Sequence, residues 1–128
     1  MDKLTINYSS INDTSLILDG HSLILVSAET IDLYPENTLS IKTGVSLYFT
    51  DKFSGILVNR QVQAENKIIL PMSGFIYNGI CENISIVLSN YSSNTYKIKA
   101  GTTRIAAIQL VSKLRITKEI ILEKNVPS

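Results

Sequence analysis

The stretch NISIVLSNYSSNTYKIKAG, residues 83–101, places an alternating run of residues on each side of a polar cluster. Apolar side chains recur at every second position from Ile84 to Leu88, and Ser and Asn occupy positions 92–94. Alternation with period two is typical of a strand with one buried face, and clusters of Ser and Asn mark turns. The stretch therefore predicts two consecutive β-strands joined by a tight turn.

The same period continues through most of the chain, and turn signals such as Asp19-Gly20 and Ala100-Gly101 interrupt it. Many short strands at spacings of about ten residues indicate an all-β sandwich or barrel. The predicted strands are Leu4–Tyr8, Ser15–Leu18, Leu23–Val26, Thr38–Lys42, Ser46–Thr50, Gly55–Asn59, Lys67–Leu70, Phe75–Tyr77, Asn83–Leu88, Thr95–Lys99 and Arg104–Val111.

Two segments depart from this pattern. Residues 59–66, NRQVQAEN, predict a short helical turn. Residues 116–124 place Ile116, Ile120 and Ile121 at helical spacing, but the run is too short to separate a helix from a strand, so both remain open.

Composition limits the classes of function. The chain has 128 residues, 45% of them hydrophobic, which predicts a single domain over residues 1–128 with a core at about 15–111 and a tail at 112–128. A net charge of +1 argues against nucleic acid or an anionic membrane as a partner. No apolar run approaches the length of a membrane helix. One Cys and one His cannot form a zinc site, and no Gly-rich phosphate loop occurs, so no metal or cofactor is expected.

The stretch GFIYNGICEN, residues 74–83, predicts a tight β-hairpin. An aromatic and aliphatic run leads into Asn78-Gly79, and a strand follows. Asn-Gly is the dipeptide that two-residue hairpin turns favour.

Several pieces of the chain, in order and with matching gaps, resemble the trimeric dUTPase family. LYPENTLSIKTGVSLYF at 33–49 is similar to a family stretch that ends a strand at Thr-Gly, and RIAAIQLV at 104–111 is similar to the family's Arg-Ile-Ala-Gln-Leu. Arg60 falls on the Arg of the family's Pro-Arg-Ser-Gly. The resemblance covers about residues 20–110. It implies a distorted jelly-roll β-barrel, assembly as a homotrimer, and hydrolysis of dUTP between its α and β phosphates.

The residues that would carry this chemistry depart from the family pattern. The family's third motif, Gly-Val-Ile-Asp-x-Asp-Tyr-Arg-Gly-Glu, aligns with residues 74–83. The resemblance places Tyr77 where the family has its water-activating Asp, Gly79 where it has its second Asp, and Ile80 where it has the Tyr that packs under the sugar. A phenol has an unperturbed pKa of about 10 and is a poor base at neutral pH.

The other motifs are also altered. Ser22 falls on the acidic position of the first motif, and Gln61 replaces the phosphate-binding Ser of the second. The Gly-rich fifth motif is absent from the sequence after Leu110. Arg60 and Arg104 are the remaining candidates for residual phosphate contacts, with a loop anchor for Arg60 and a barrel-end ion pair for Arg104 as the structural alternatives. The candidate site remnants are therefore Ser22, Arg60, Gln61, Gly79 and Arg104, around the degenerate catalytic position Tyr77.

These losses predict a catalytically inactive protein that keeps the dUTPase scaffold and binds host proteins. The chain is similar in size and in its lost motifs to the adenovirus dUTPase-derived protein of early region four, which predicts a viral protein acting in the host cytoplasm or nucleus. One alternative is an active or residual dUTP pyrophosphatase that recruits Asp51, Glu65 or Glu82. Another is a structural β-sandwich of a virion.

The C-terminal sequence bears on partners. It reads Asn125-Val126-Pro127-Ser128 and offers no terminal apolar residue to a PDZ domain. Pro127 has no N–H for the strand pairing that such recognition uses, so no PDZ binding is expected. The host partner is not readable from the residues.

Overall fold

β-Strands dominate the described part of the chain. The computed structural model describes residues 3–12, 15–50, 53–58, 69–71, 75–112 and 119–124, and among them it contains fourteen strands and no helix. The strands are β1 (Lys3–Ser10), β2 (Leu16–Asp19), β3 (Ser22–Val26), β4 (Ile31–Leu33), β5 (Thr38–Lys42), β6 (Val45–Tyr48), β7 (Phe53–Val58), β8 (Ile69–Pro71), β9 (Ile76–Tyr77), β10 (Ile80–Cys81), β11 (Ser85–Asn90), β12 (Tyr96–Ile98), β13 (Arg104–Ser112) and β14 (Glu119–Lys124).

The prediction of an all-β domain is confirmed, and every predicted strand overlaps an observed one. Two observed strands, β4 and β10, have no predicted counterpart. In the tail, residues 119–124 form a strand rather than a helix. The helical turn predicted at 59–66 lies outside the described residues.

The strands form four sheets. The largest has the order β2-β3-β13-β7-β9, and a second has the order β10-β6-β1-β14. Smaller sheets have the orders β5-β11-β8 and β12-β4. Most pairs are antiparallel, whereas β1 and β14 pair in parallel from Lys3 opposite Glu119 to Tyr8 opposite Lys124.

Strands β3 and β13 form the centre of the five-stranded sheet and are covered on both faces. All five residues of β3 are buried, and so are the four consecutive residues 105–108 of β13. A run that is buried at every position is typical of a strand with protein on both sides. These two strands therefore give β7, and through it the edge strand β9, a fixed support.

The core extends beyond the predicted span of residues 15–111. Ile6 of β1 and Ile120 of β14 both belong to the main core cluster, with 1% and 8% of their surfaces exposed. Parallel pairing of β1 with β14 points these two side chains inward, so the two ends of the chain complete one hydrophobic core. The segment at 119–124 is thus a part of the barrel.

The link between β11 and β12 depends on one buried amide. Asn90, 1% exposed, donates from Nδ2 to the carbonyl oxygens of Leu33 at 2.8 Å and Asn94 at 2.9 Å. Its Oδ1 accepts from the Ser92 N–H at 2.9 Å and the Ser92 hydroxyl at 2.6 Å. A buried polar side chain is tolerated when its hydrogen-bonding groups are satisfied, as they are here. Asn90 therefore ties the turn at 92–94 to the end of β4.

Candidate functional site

Residues 75–81 connect the five-stranded sheet to the four-stranded sheet, and we call them the bridging segment. Within it, β9 pairs with β7 and β10 pairs with β6. Gly79 has a φ of +61°, which glycine adopts without the steric cost that a side chain would bring. Its carbonyl accepts a hydrogen bond from the Phe49 N–H at 2.7 Å.

The predicted hairpin is therefore only partly right. The Asn78-Gly79 turn is present, but among the described residues the strands on its two sides pair with different sheets and not with each other. The physical reason is that two residues on each side give too few ladder hydrogen bonds for an independent hairpin, while β6 and β7 offer preformed edges. The bridging segment is thus held by the barrel on both sides.

Tyr77 is the buried residue of this segment. Its side chain is 8% exposed and lies opposite Gly55 of β7. The Phe75 ring lies 4.8 Å from the Tyr77 ring, centroid to centroid, at 53°, within the range of favourable aromatic pairs. Burial, together with the neighbouring Cys81 thiol, raises the pKa of Tyr77 above its ordinary value. The side chain is therefore a neutral phenol at pH 7.

A cavity of about 400 Å³ lies beside the bridging segment. Its volume falls in the range of small-molecule sites. Burial raises the pKa of the Cys81 thiol, which donates a weak hydrogen bond to the Asn78 carbonyl at 3.3 Å. The lining residues come from β7, the bridging segment and β11 with the residues that precede it: Leu57, Phe75, Tyr77, Cys81, Glu82, Ile84, Ser85 and Val87.

Three of the predicted site remnants have described positions. Ser22 is buried on β3, where its hydroxyl donates to Gln109 Oε1 at 3.1 Å. Gly79 is exposed at the tip of the bridging segment. Arg104 begins β13 opposite Val26 and is half-buried. It makes no ion pair with a described residue, so the barrel-end ion pair expected as its structural alternative is not found there. Arg60 and Gln61 lie outside the described residues.

Ser22 and Tyr77 lie far apart within one chain. Three strand spacings, about 14 Å, separate them across the sheet. They also face opposite sides of the sheet. Tyr77 and Leu23 both point into the core, and Ser22, which directly precedes Leu23 on β3, points to the other face. Arg104 lies about 13 Å along the sheet from Ser22. A site that used both Ser22 and Tyr77 would have to draw on two protomers.

The described residues contain neither a cluster of metal-ligating side chains nor a membrane-spanning helix. No group of three or more His, Cys, Asp or Glu side chains within them is arranged to hold a metal ion. The same part of the chain has no helix of the length and apolarity needed to span a bilayer. Of the carboxylates proposed to rescue catalysis, Glu82 lines the cavity, whereas Asp51 and Glu65 lie outside the described residues.

Sequence reasoning singled out Tyr77, Gly79 and Glu82, but it missed most of the cavity wall. Leu57 and Val87 are ordinary strand residues whose alternation predicts only a strand. Cys81 lies in the stretch aligned with the third motif, at residues 74–83, but its residue type did not mark it as part of a cavity.

Solved structures with this fold include several viral dUTPases. A dUTPase variant of phage phi11 of Staphylococcus aureus superposes with a TM-score of 0.72 at 18% identity, over 98% of this chain and 100% of that one. A Staphylococcus bacteriophage 80alpha dUTPase variant bound to dUpNHpp gives 0.70 at 20% identity, over 96% and 91%. The EIAV dUTPase gives 0.69 at 14% identity, over 89% and 93%. At these identities the likeness shows the fold, and it confirms the predicted jelly roll.

Sequence comparison gives the family. No curated protein matches the chain. The family model described as dUTPase matches residues 20–127, most of its length. The match includes the bridging segment with Tyr77 and all of the cavity-lining residues, so the site described above lies within the matched region. This chain belongs to the dUTPase family.

Proposed function

We propose that this chain is a catalytically inactive member of the dUTPase family that acts as a protein-binding, regulatory module of a virus. The observation that carries the proposal is the burial of Tyr77, a phenol that the resemblance places at the family's carboxylate position. Hydrolysis of dUTP needs a base that takes a proton from the attacking water. A neutral phenol whose pKa is raised by burial has no proton-accepting capacity to match a carboxylate at pH 7.

A second candidate function is residual dUTP pyrophosphatase activity. Glu82 favours it, because this carboxylate lines the same cavity as Tyr77. Its exposure argues against efficient catalysis, since the attacking water would not be shielded from bulk solvent there.

Purified protein incubated with dUTP and Mg²⁺ should release no pyrophosphate above background. Loss of the general base alone lowers catalysis by about 10²- to 10⁴-fold, so the rate should lie at least that far below that of a phage dUTPase run in parallel. Turnover within tenfold of that enzyme would refute the proposal.

Two variants show whether Glu82 is responsible for any turnover that is seen. Glu82→Gln keeps the side-chain shape and removes the carboxylate, so its loss of activity would establish the second candidate function. Tyr77→Phe removes only the hydroxyl and serves as the matched control, because it should leave such a rate unchanged.

The regulatory part of the proposal draws on relatives. Phage dUTPases of Staphylococcus bacteriophage 80alpha are described as controlling the transfer of virulence genes by a proto-oncogenic G protein-like mechanism. The dUTPase fold thus supports a signalling role in other proteins. The resemblance to the adenovirus early region four protein suggests that the partner of this chain is a host protein, met in the cytoplasm or nucleus.

We also propose that the chain assembles as a homotrimer, as members of the trimeric dUTPase family do. Sedimentation velocity over a concentration series should give one species of three times the chain mass. The test uses the full chain, because truncation after Val111 would remove β14 and with it the buried Ile120 of the core. A strict monomer at every concentration would contradict the trimer.

A further inference from the structure

Tyr77 gives the cavity beside the bridging segment a polar group to which no described residue offers a hydrogen-bond partner. More than nine-tenths of Tyr77 is buried, and its ring lines the cavity. No described residue forms a hydrogen bond with the Tyr77 hydroxyl. Its oxygen atom is also not fully enclosed by protein. The hydroxyl is therefore open to the cavity. A hydroxyl that is open to a cavity can accept a hydrogen bond from a ligand, which then replaces the bonds that the hydroxyl makes to solvent.

The cavity wall is suited to a flat ring. Leu57, Ile84 and Val87 contribute aliphatic surface, and Phe75 and Tyr77 contribute two aromatic side chains at a centroid distance of 4.8 Å. Pockets of this size that are lined mainly by apolar side chains bury most of a small ligand. An aromatic ring gains the apolar contact and edge-to-face contacts with the two aromatic side chains.

The cavity also has a negative charge at its exposed side. Glu82 lines it, is exposed, and makes no ion pair with any cation of the described residues. The remaining polar lining is uncharged, because burial raises the pKa of both Tyr77 and the Cys81 thiol. The charge of the site thus complements a cation and opposes an anion.

We propose that this cavity binds a small ligand in which an aromatic ring carries a cationic amine. The ring lies against Leu57, Phe75 and Val87, a ring N–H donates to the Tyr77 hydroxyl, and the amine lies at the Glu82 carboxylate. The site takes a class of ligand unlike a nucleoside triphosphate. The proposal goes beyond the proposed function, because such binding requires no reaction of dUTP.

Cys81, the only cysteine of the chain, reports occupancy of the cavity without a mutation. Tryptamine serves as the probe, and the rate of Cys81 alkylation by iodoacetamide is followed by mass spectrometry. At about 10 mM tryptamine the rate should fall roughly fivefold, as expected for a ligand of this size binding in the millimolar range or tighter. The same reaction on urea-unfolded protein should show no protection.

Matched compounds and variants test the geometry. Indole-3-propionate has the same ring with the opposite charge and should bind about threefold more weakly, because a partly exposed charge pair is worth only a small factor. Glu82→Gln should abolish this preference. Tyr77→Phe should weaken both compounds about equally, and the unchanged fold of that variant is checked by circular dichroism.

Three results would overturn the proposal. The first is equal alkylation rates with and without tryptamine. The second is protection by indole-3-propionate at lower concentration than by tryptamine. The third is protection by dUTP at lower concentration than by tryptamine, which would mean that the cavity retains the ligand class of the family. Absence of dUTP turnover alone decides nothing about this cavity, so the two proposals fail separately.

Discussion

Replacing Asn90 with leucine should lower the free energy of unfolding by about 3 to 5 kcal/mol, since each buried group left without a partner costs about 1 to 3 kcal/mol. The substitution keeps side-chain size but removes both donors and the acceptor of the amide. The carbonyl of Leu33 and the N–H of Ser92 then lose partners that lie at 2.8 and 2.9 Å. Equilibrium urea unfolding followed by circular dichroism measures the loss.

The control for this prediction is Asn94→Ala. Asn94 is exposed and contributes its backbone carbonyl and N–H, rather than its side chain, to the hydrogen bonds that the structure shows in this turn. Its replacement should change stability by less than about 0.5 kcal/mol. If Asn90→Leu cost no more than Asn94→Ala, the buried amide would not be what ties β11 to β4.

Replacing Gly55 with alanine should destabilise the barrel by about 2 to 3 kcal/mol, at the upper end of the cost of overpacking a core. A Cβ built on Gly55 would clash with Cγ2 of Ile108 and would lie 3.2 Å from Cζ of Phe49. Ile108 is fully buried, and its Cγ2 is attached directly to Cβ, so the methyl cannot move away without shifting β13. The shift in denaturant midpoint at constant slope measures the effect.

A double-mutant cycle identifies the clash as the cause. Ile108→Ala alone leaves a cavity and is destabilising. In that background the added methyl at position 55 has room, so Gly55→Ala should cost at least about 1 kcal/mol less than it does in the native chain. Additive effects would show that Ile108 is not the obstacle.

Where the sequence carries a local pattern, it predicts the structure closely. Residues 38–42 were predicted as a strand and form β5 with the same bounds. Strand β4 escaped prediction because three residues cannot show a period, and its pairing partner, β12, is more than sixty positions further along the chain. The tail could not be decided because its strand conformation depends on β1, at the other end of the sequence.

The candidate site was likewise predictable from the sequence only in part. Tyr77 was singled out because the resemblance places this phenol where the family has a carboxylate, and such a change of residue type can be read from the sequence. The cavity was not, since its walls come from strands that only the fold brings together: Leu57 belongs to β7 and Val87 to β11. The pairing of β9 with β7 instead of β10 was also hidden, because the Asn78-Gly79 turn alone fits both arrangements.

The parallel pairing of β1 with β14 has a consequence for biosynthesis. During translation β1 emerges first and can pair with β6, but its other edge stays unpaired until the last residues of β14 have been made. An open strand edge is a template for pairing with other chains. Contacts between the two ends of a chain are also slow to form. A chain cut short before residue 119 therefore leaves this edge of β1 open and lacks the core residue Ile120, so it should aggregate more readily than a chain that contains β14.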